Sequence, residues 1–190
     1  MTKDQLRSEY KKKRNNLSIE VRLYLNLQIL ENLKQFDWQL YTYVHVYFPI
    51  EKFNEPDTSS FIKWITVNFP HIKLVVSKSD FSKGVMMNYL LEKDTKLVEN
   101  NWGILEPVGG RIVEETQIDV VLVPLLVVDK QGNRVGYGKG FYDKFLGNCR
   151  TDVKSYGISF FEPIDCISDV GEWDRRLTNC ITPLKIYSFK

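Results

Sequence analysis

The stretch Val120-Val-Leu-Val-Pro124-Leu-Leu-Val-Val-Asp129 runs on through Lys-Gln-Gly-Asn-Arg134-Val into Gly136-Tyr137-Gly138-Lys139-Gly140-Phe141-Tyr142-Asp143. Its first part, Asp119–Pro124, reads as a dense strand buried on both faces, the kind that lies in a parallel sheet between two layers of helices. After a turn, three alternate glycines lead into a helix expected from about Phe141 to Leu146. Glycine lets a backbone approach a ligand closely and take positive φ. The N–H groups and dipole of a helix N-terminus favour an anion. Arg134 and Lys139, beside the same loop, suit a phosphate chain. The loop is not a Walker A motif, because Gly140 rather than Ser or Thr follows Lys139. It is not the G-x-G-x-x-G dinucleotide fingerprint either, because Phe141 stands in the last place. On its own it reads as a crossover loop or as a site for a phosphorylated ligand, and no further.

Outward from this segment, strands and helices alternate. A helix is expected over the first residues, where Thr2 followed by Gln5 makes a capping box, and another from Ser18 to about Phe36. Strands follow at Tyr43–Phe48, Ile72–Val76, Met86–Leu91, Tyr156–Phe160 and Ile186–Phe189, with a helix over Phe61–Ile65 capped by Asp57 and Thr58. This order predicts an α/β protein, a three-layer α/β/α sandwich with a mainly parallel, Rossmann-like central sheet. With no internal repeat or linker, residues 1–190 read as a single domain.

Composition narrows the function classes. The chain is 43% hydrophobic, too apolar for a disordered segment. Its longest apolar run, Val120–Val128, is well short of the roughly 20 residues of a membrane span. The charged opening has no signal-peptide core, so a cytoplasmic protein is expected. Cys149, Cys166 and Cys180 lack metal-ligand spacing, and His45 and His71 are the only histidines. A zinc site and a Ser-His or Cys-His hydrolase are therefore poorly supported. His45 reads as a satisfied strand residue. The net charge of +2 hides an asymmetry: Lys3, Arg7, Lys11, Lys12, Lys13 and Arg14 crowd the first helix, and the remainder is slightly acidic. Lys3, Arg7 and Arg14 share one helical face, which is either solvated or an anion site. The acidic remainder argues against nucleic acid and leaves a small polyphosphate.

The run from Val123-Pro124 through Asp129, Gly132, Arg134, G-Y-G-K-G and Tyr142-Asp143 resembles the signature of the 5-formyltetrahydrofolate cyclo-ligase family. Shorter matches occur in order: Lys3-x-x-x-Arg7, Tyr47-Phe48-Pro49, Glu55-x-x-Thr58, Trp102-Gly-Ile-Leu-Glu106-Pro107, and Asp174 ahead of Ile181-Thr182-Pro183. Phe141 stands where the family usually has tyrosine, and Trp173 where histidine is frequent.

The resemblance implies an enzyme that converts 5-formyltetrahydrofolate and ATP into 5,10-methenyltetrahydrofolate, ADP and phosphate, with Mg2+. It implies small-molecule partners only, without nucleic acid or membrane, and a monomer or weak homodimer. Lys3 and Arg7 would hold ATP phosphates, and Arg134, Gly136, Tyr137, Gly138, Lys139, Gly140, Phe141 and Tyr142 would wrap the nucleotide. Arg134 and Lys139 would stabilise the transferring charge as catalytic residues. Asp143 and Asp174 would bind magnesium. Glu55 would accept two hydrogen bonds from the pterin. Phe48, Trp102, Tyr137 and Tyr142 would line the flat parts of the folate, with Gly138, Lys139, Gly140 and Phe141 also in contact with it. The rival readings are packing for Phe48 and Trp102, a helix-end acid for Asp143, a turn residue for Asp174 and a surface-loop acid for Glu55.

Overall fold

The computed structural model describes residues 1–189. In chain order the elements are α1 (Lys3–Asn15), α2 (Ile19–Leu33), β1 (Tyr43–His45), α3 (Ser59–Asn68), β2 (Lys73–Asp80) and β3 (Val85–Leu90). There follow β4 (Leu97–Glu99), β5 (Leu105–Pro107), β6 (Val120–Pro124), β7 (Val127–Val128), β8 (Arg134–Val135), α4 (Phe141–Asn148), β9 (Lys154–Ile158), β10 (Asn179–Ile181) and β11 (Ile186–Ser188). A seven-stranded sheet has the order β11-β10-β9-β6-β1-β2-β3. The five inner strands pair in parallel, and β3 and β11 close the edges antiparallel. The expected α/β class and mainly parallel sheet are what the chain adopts.

Strand β6 shows why. Its alternate side chains go to opposite faces, as a strand requires. Val120 and Leu122 pack with Ile29 and Leu33 of α2, Trp38, and Phe61 and Ile65 of α3. Val121 and Val123 pack with Phe145 and Leu146 of α4. Helix layers therefore cover both faces. The apolar run does not continue as one strand, because Pro124 ends the ladder. Leu126 and Val127 pass instead to a separate two-stranded hairpin of β7 and β8, against which Leu6 and Tyr10 of α1 pack. Helix α1 thus sits on the hairpin that leads into the glycine loop.

Local signals were mostly honoured. Thr2 and Gln5 form the capping box of α1, and the Ser18 side chain caps α2. At α3 the cap differs from expectation: Thr58 donates its hydroxyl to the Tyr47 carbonyl, and Asp57 alone receives a helix N–H, from Ser59. The strand expected over Tyr43–Phe48 stops at His45, and Val46, Tyr47 and Phe48 lie outside any regular strand. The small β4–β5 hairpin and β10 carried no readable signal, being three residues per strand.

From β1 the sheet grows in opposite directions, to β2 on one side and β6 on the other. In open α/β sheets such a switch point leaves a crevice beyond the carboxyl ends of the strands. His45 and Pro124, at those ends, both line a cavity.

Candidate active site

That cavity has a volume of about 590 Å³ and is bordered by α1, the segment after β1, the tips of the β2–β3 and β4–β5 hairpins, the glycine loop, the start of α4, and Asp174. The size falls within the range of roughly 300–1,000 Å³ usual for small-molecule clefts. Every site residue anticipated from the sequence lines it.

One end is cationic. Gly138 and Gly140 have φ of +84° and +69°, and Gly140 caps α4 with no side-chain hydrogen bond at the cap. Successive backbone N–H groups turned by left-handed residues make an anion-binding concavity. Gly136 is used differently: its φ is not positive, and its carbonyl accepts from Arg7 Nε at 3.0 Å. A Cβ on Gly138 would lie 3.1 Å from the Arg7 guanidinium, whereas one on Gly136 would meet nothing within 4 Å. Gly138→Ala is accordingly expected to lose about 1–2 kcal/mol for the left-handed backbone and to displace Arg7. Gly136→Ala should fold like the parent. Urea unfolding of the two variants checks this, and equal midpoints would contradict it.

Arg134 is largely buried. Its Nη2 donates to Asp143 Oδ1 at 2.8 Å and its Nη1 to the Arg175 carbonyl. Burial draws its pKa downward, and the charges of Asp143 and Asp174 oppose that shift. Lys3 pairs with Asp174. Burial tends to raise the Asp174 pKa, but hydrogen bonds from Lys3 and the Gly171 N–H outweigh it and hold the carboxyl below its ordinary value. Lys139 stands exposed on the loop. Asp143 Oδ1 also accepts from the Arg175 N–H at 3.0 Å. Both aspartates therefore keep one carboxylate oxygen outside these contacts. Among the described residues no group of three His, Cys, Asp or Glu could hold a metal. Two hard oxygen donors suit a magnesium ion whose remaining ligands are phosphate and water.

The other end is a buried carboxylate with aromatic walls. Glu55 is only 7% exposed, which overturns its reading as a surface-loop acid. Its Oε1 accepts from the Tyr137 hydroxyl at 2.6 Å and its Oε2 from the Ile50 N–H at 2.7 Å. Burial raises its pKa, and those two hydrogen bonds and the charge of Arg14 partly offset the rise. Each carboxylate oxygen retains acceptor capacity for a further donor. Tyr137 stacks on Phe53 with ring centroids 5.0 Å apart. Trp102 is 52% exposed and stacks on Phe81, whose ring meets the edge of Phe141. Packing in the core is thus excluded for Trp102, and Phe141 has a place at the mouth that needs no hydroxyl. Phe48 packs against the sheet core while lining the cavity.

Sequence reading missed Phe81 and the burial of Arg14. Phe81 and Trp102 lie far apart in the chain and meet only because two hairpin tips converge. Arg14, taken as one of three cations on a face, is buried at the junction of α1 with Tyr137. His45 fits its reading as a satisfied residue on one ring nitrogen. Ser77 gives its hydroxyl proton to Asn88 Oδ1, so His45 Nε2 donates to Ser77, at 2.8 Å. Burial lowers its pKa to about 3, so the ring is neutral near pH 7.

A model of the 5-formyltetrahydrofolate cyclo-ligase family matches residues 1–183. The chain belongs to this family. A mouse (Mus musculus) 5-formyltetrahydrofolate cyclo-ligase is 29% identical over 185 residues, 90% of this chain and 89% of the relative. The Haemophilus influenzae 5-formyltetrahydrofolate cyclo-ligase is 27% identical over 149 residues, 77% of this chain and 78% of the relative. Among solved structures, the Aquifex aeolicus 5,10-methenyltetrahydrofolate synthetase superposes with a TM-score of 0.85 at 26% identity, covering 100% of this chain and 94% of its own. The Mycoplasma pneumoniae 5,10-methenyltetrahydrofolate synthetase gives 0.76 at 26% identity, covering 96% and 99%. As a cyclo-ligase family member this chain is an enzyme of small-molecule folate chemistry, and no helix among its described residues is long and apolar enough to cross a membrane.

Proposed function

We propose that this cyclo-ligase uses ATP to convert 5-formyltetrahydrofolate into 5,10-methenyltetrahydrofolate, ADP and phosphate. One observation carries the reading: a single cavity joins a cationic glycine loop at a helix N-terminus to a buried carboxylate between aromatic walls. The first end suits a triphosphate and the second a flat heterocycle with adjacent N–H donors.

A formamide oxygen is a poor leaving group. The formyl oxygen attacks the γ-phosphorus, the bond from that phosphorus to the bridging oxygen of ADP breaks, and an imidate phosphate forms. The N10 amine then adds to the activated carbon, its proton is lost, and the carbon–oxygen bond breaks to release phosphate. Such a sequence needs alignment and charge neutralisation rather than a protein nucleophile. Lys3 and Arg7 hold the phosphates from α1. The N–H groups of the Gly136–Gly140 loop and the start of α4 at Phe141 and Tyr142 enclose them. Arg134, held by Asp143, and Lys139, free on the loop, face the charge that develops on the transferring group. Asp143 and Asp174 offer their remaining carboxylate oxygens to the magnesium ion that accompanies ATP, which neutralises phosphate charge when bound. Glu55 receives the pterin, with Phe48, Trp102 and Tyr137 against its faces. The same reading makes residues 1–190 one catalytic domain of the cytoplasm, monomeric or weakly dimeric, with no nucleic-acid or membrane partner.

Mixing the enzyme with ATP, magnesium and 5-formyltetrahydrofolate is expected to produce the near-ultraviolet absorption of the conjugated methenyl product. The band should require ATP. No band under conditions in which another cyclo-ligase works would overturn the proposal.

A further inference from the structure

The Arg14 side chain ends the buried face of α1, 2% exposed, and makes no ion pair among the described residues. Its Nη1 donates to the Leu125 carbonyl at 3.3 Å, its Nη2 to the Tyr137 hydroxyl at 2.5 Å, and its Nε is buried without a partner. A guanidinium is a donor only. The Tyr137 oxygen must therefore accept from it, which leaves the single hydroxyl proton for Glu55 Oε1, 2.6 Å away. The direction of every bond in the chain Arg14–Tyr137–Glu55 is fixed by valence. A buried charge without compensation is costly. The carboxylate that compensates Arg14 is Glu55, reached through one hydroxyl.

We propose that Arg14 is a positioning residue for folate recognition: through Tyr137 it keeps Glu55 an anion and holds its unused lone pairs toward the cavity. The proposal rests on the reading that Glu55 receives the folate. The groups facing Glu55 from the surrounding elements are Tyr137 of the glycine loop, Tyr47 beyond β1, Tyr142 of α4 and Arg14 of α1. Burial moves all three tyrosine hydroxyls upward. Those tyrosines therefore stay protonated on the acid side, and Glu55 is the one carboxyl in the group.

The test is the pH profile of kcat/KM for 5-formyltetrahydrofolate in the parent, Arg14→Met, Arg14→Lys, Tyr137→Phe and Glu55→Gln enzymes. Substrate ionisations are common to all and cancel in the comparison. The acid limb of the parent should move up by about one pH unit in Arg14→Met, because loss of the positive charge makes protonation of Glu55 easier. At pH 7 the KM for the folate should rise about tenfold, with the KM for ATP within twofold. Arg14→Lys should restore part of the shift. Tyr137→Phe, which cuts the chain without emptying the Arg14 site, should shift the limb in the same direction even if Arg14→Met does not fold. An acid limb at the parental position in both Arg14→Lys and Tyr137→Phe, or in a folded Arg14→Met, would overturn the proposal. Glu55→Gln separates the two claims. Loss of the limb there supports the role of Glu55, whereas a limb that survives would refute that role and with it this inference.

Discussion

Lys139→Ala is expected to lower kcat/KM for ATP by about 10²–10³-fold, the loss usual when one donor to a transition-state anion is removed. Lys139 stands exposed between two glycines in left-handed backbone, so under the proposed function its amine would follow the γ-phosphoryl group as it passes from nucleotide to formyl oxygen. Arg134 cannot replace it, because Asp143 and the Arg175 carbonyl fix its guanidinium. The same exposure makes stability indifferent: surface changes away from packing usually stay within about 0.5 kcal/mol. Steady-state kinetics with varied ATP, together with a urea midpoint, test both halves. Unimpaired turnover would show that the loop does not meet the triphosphate. A large fall in the midpoint would show that Lys139 is structural.

Glu55→Gln is expected to lower kcat/KM for 5-formyltetrahydrofolate by about 10²-fold, since hydrogen bonds to a charged group contribute roughly 1.5–3 kcal/mol and the amide turns a donor toward a donor. ATP dependence should change little. Stability should change far less than activity. Burial raises the Glu55 pKa in the folded protein. A carboxyl with a raised folded pKa favours folding fully below its unfolded pKa, and that contribution is lost as pH rises through the folded value. At pH 7 the parent therefore carries a penalty that glutamine lacks, but glutamine leaves the buried Arg14 without its compensating carboxylate. The two effects oppose each other, so the variant's thermal midpoint should lie near the parent's at pH 7, with the parent gaining relative to it as pH falls toward 4. An unchanged folate dependence would remove Glu55 from the site. A destabilisation of more than about 2 kcal/mol would make it a structural acid.

How far the sequence could be read depended on the range of the forces involved. β6 was legible because four consecutive valine and leucine side chains must find apolar partners on both faces, which only a central strand between helix layers supplies. The α1 and α2 starts were legible because Thr2, Gln5 and Ser18 satisfy N–H groups within three residues. The phosphate-loop reading of Gly138 and Gly140 rested on the same local logic, and their positive φ fits it. Gly136 shows the limit, since what its backbone does is set by Arg7, in another element.

The long-range parts were not legible. Nothing near Arg14 distinguishes it from Lys12 or Lys13, and its burial follows from α1 docking on the β7–β8 hairpin. Glu55 has the composition of a solvated turn around it, and only the return of Tyr137 over that turn takes it out of water. The Phe81–Trp102 stack requires two hairpin tips to meet.

The small net charge likewise concealed an arrangement. Lys3 and Arg7 from α1 meet Arg134 and Lys139 from the glycine loop at one end of one cavity. That gathering, in the same cavity as Glu55, underlies the central claim that ATP activates the formyl oxygen. The most direct measurement follows that atom. 5-Formyltetrahydrofolate carrying oxygen-18 in the formyl group is turned over with unlabelled ATP, and the released phosphate is analysed by mass. The account predicts one oxygen-18 in each phosphate formed with the methenyl product. Label released as water, with unlabelled phosphate, would contradict it.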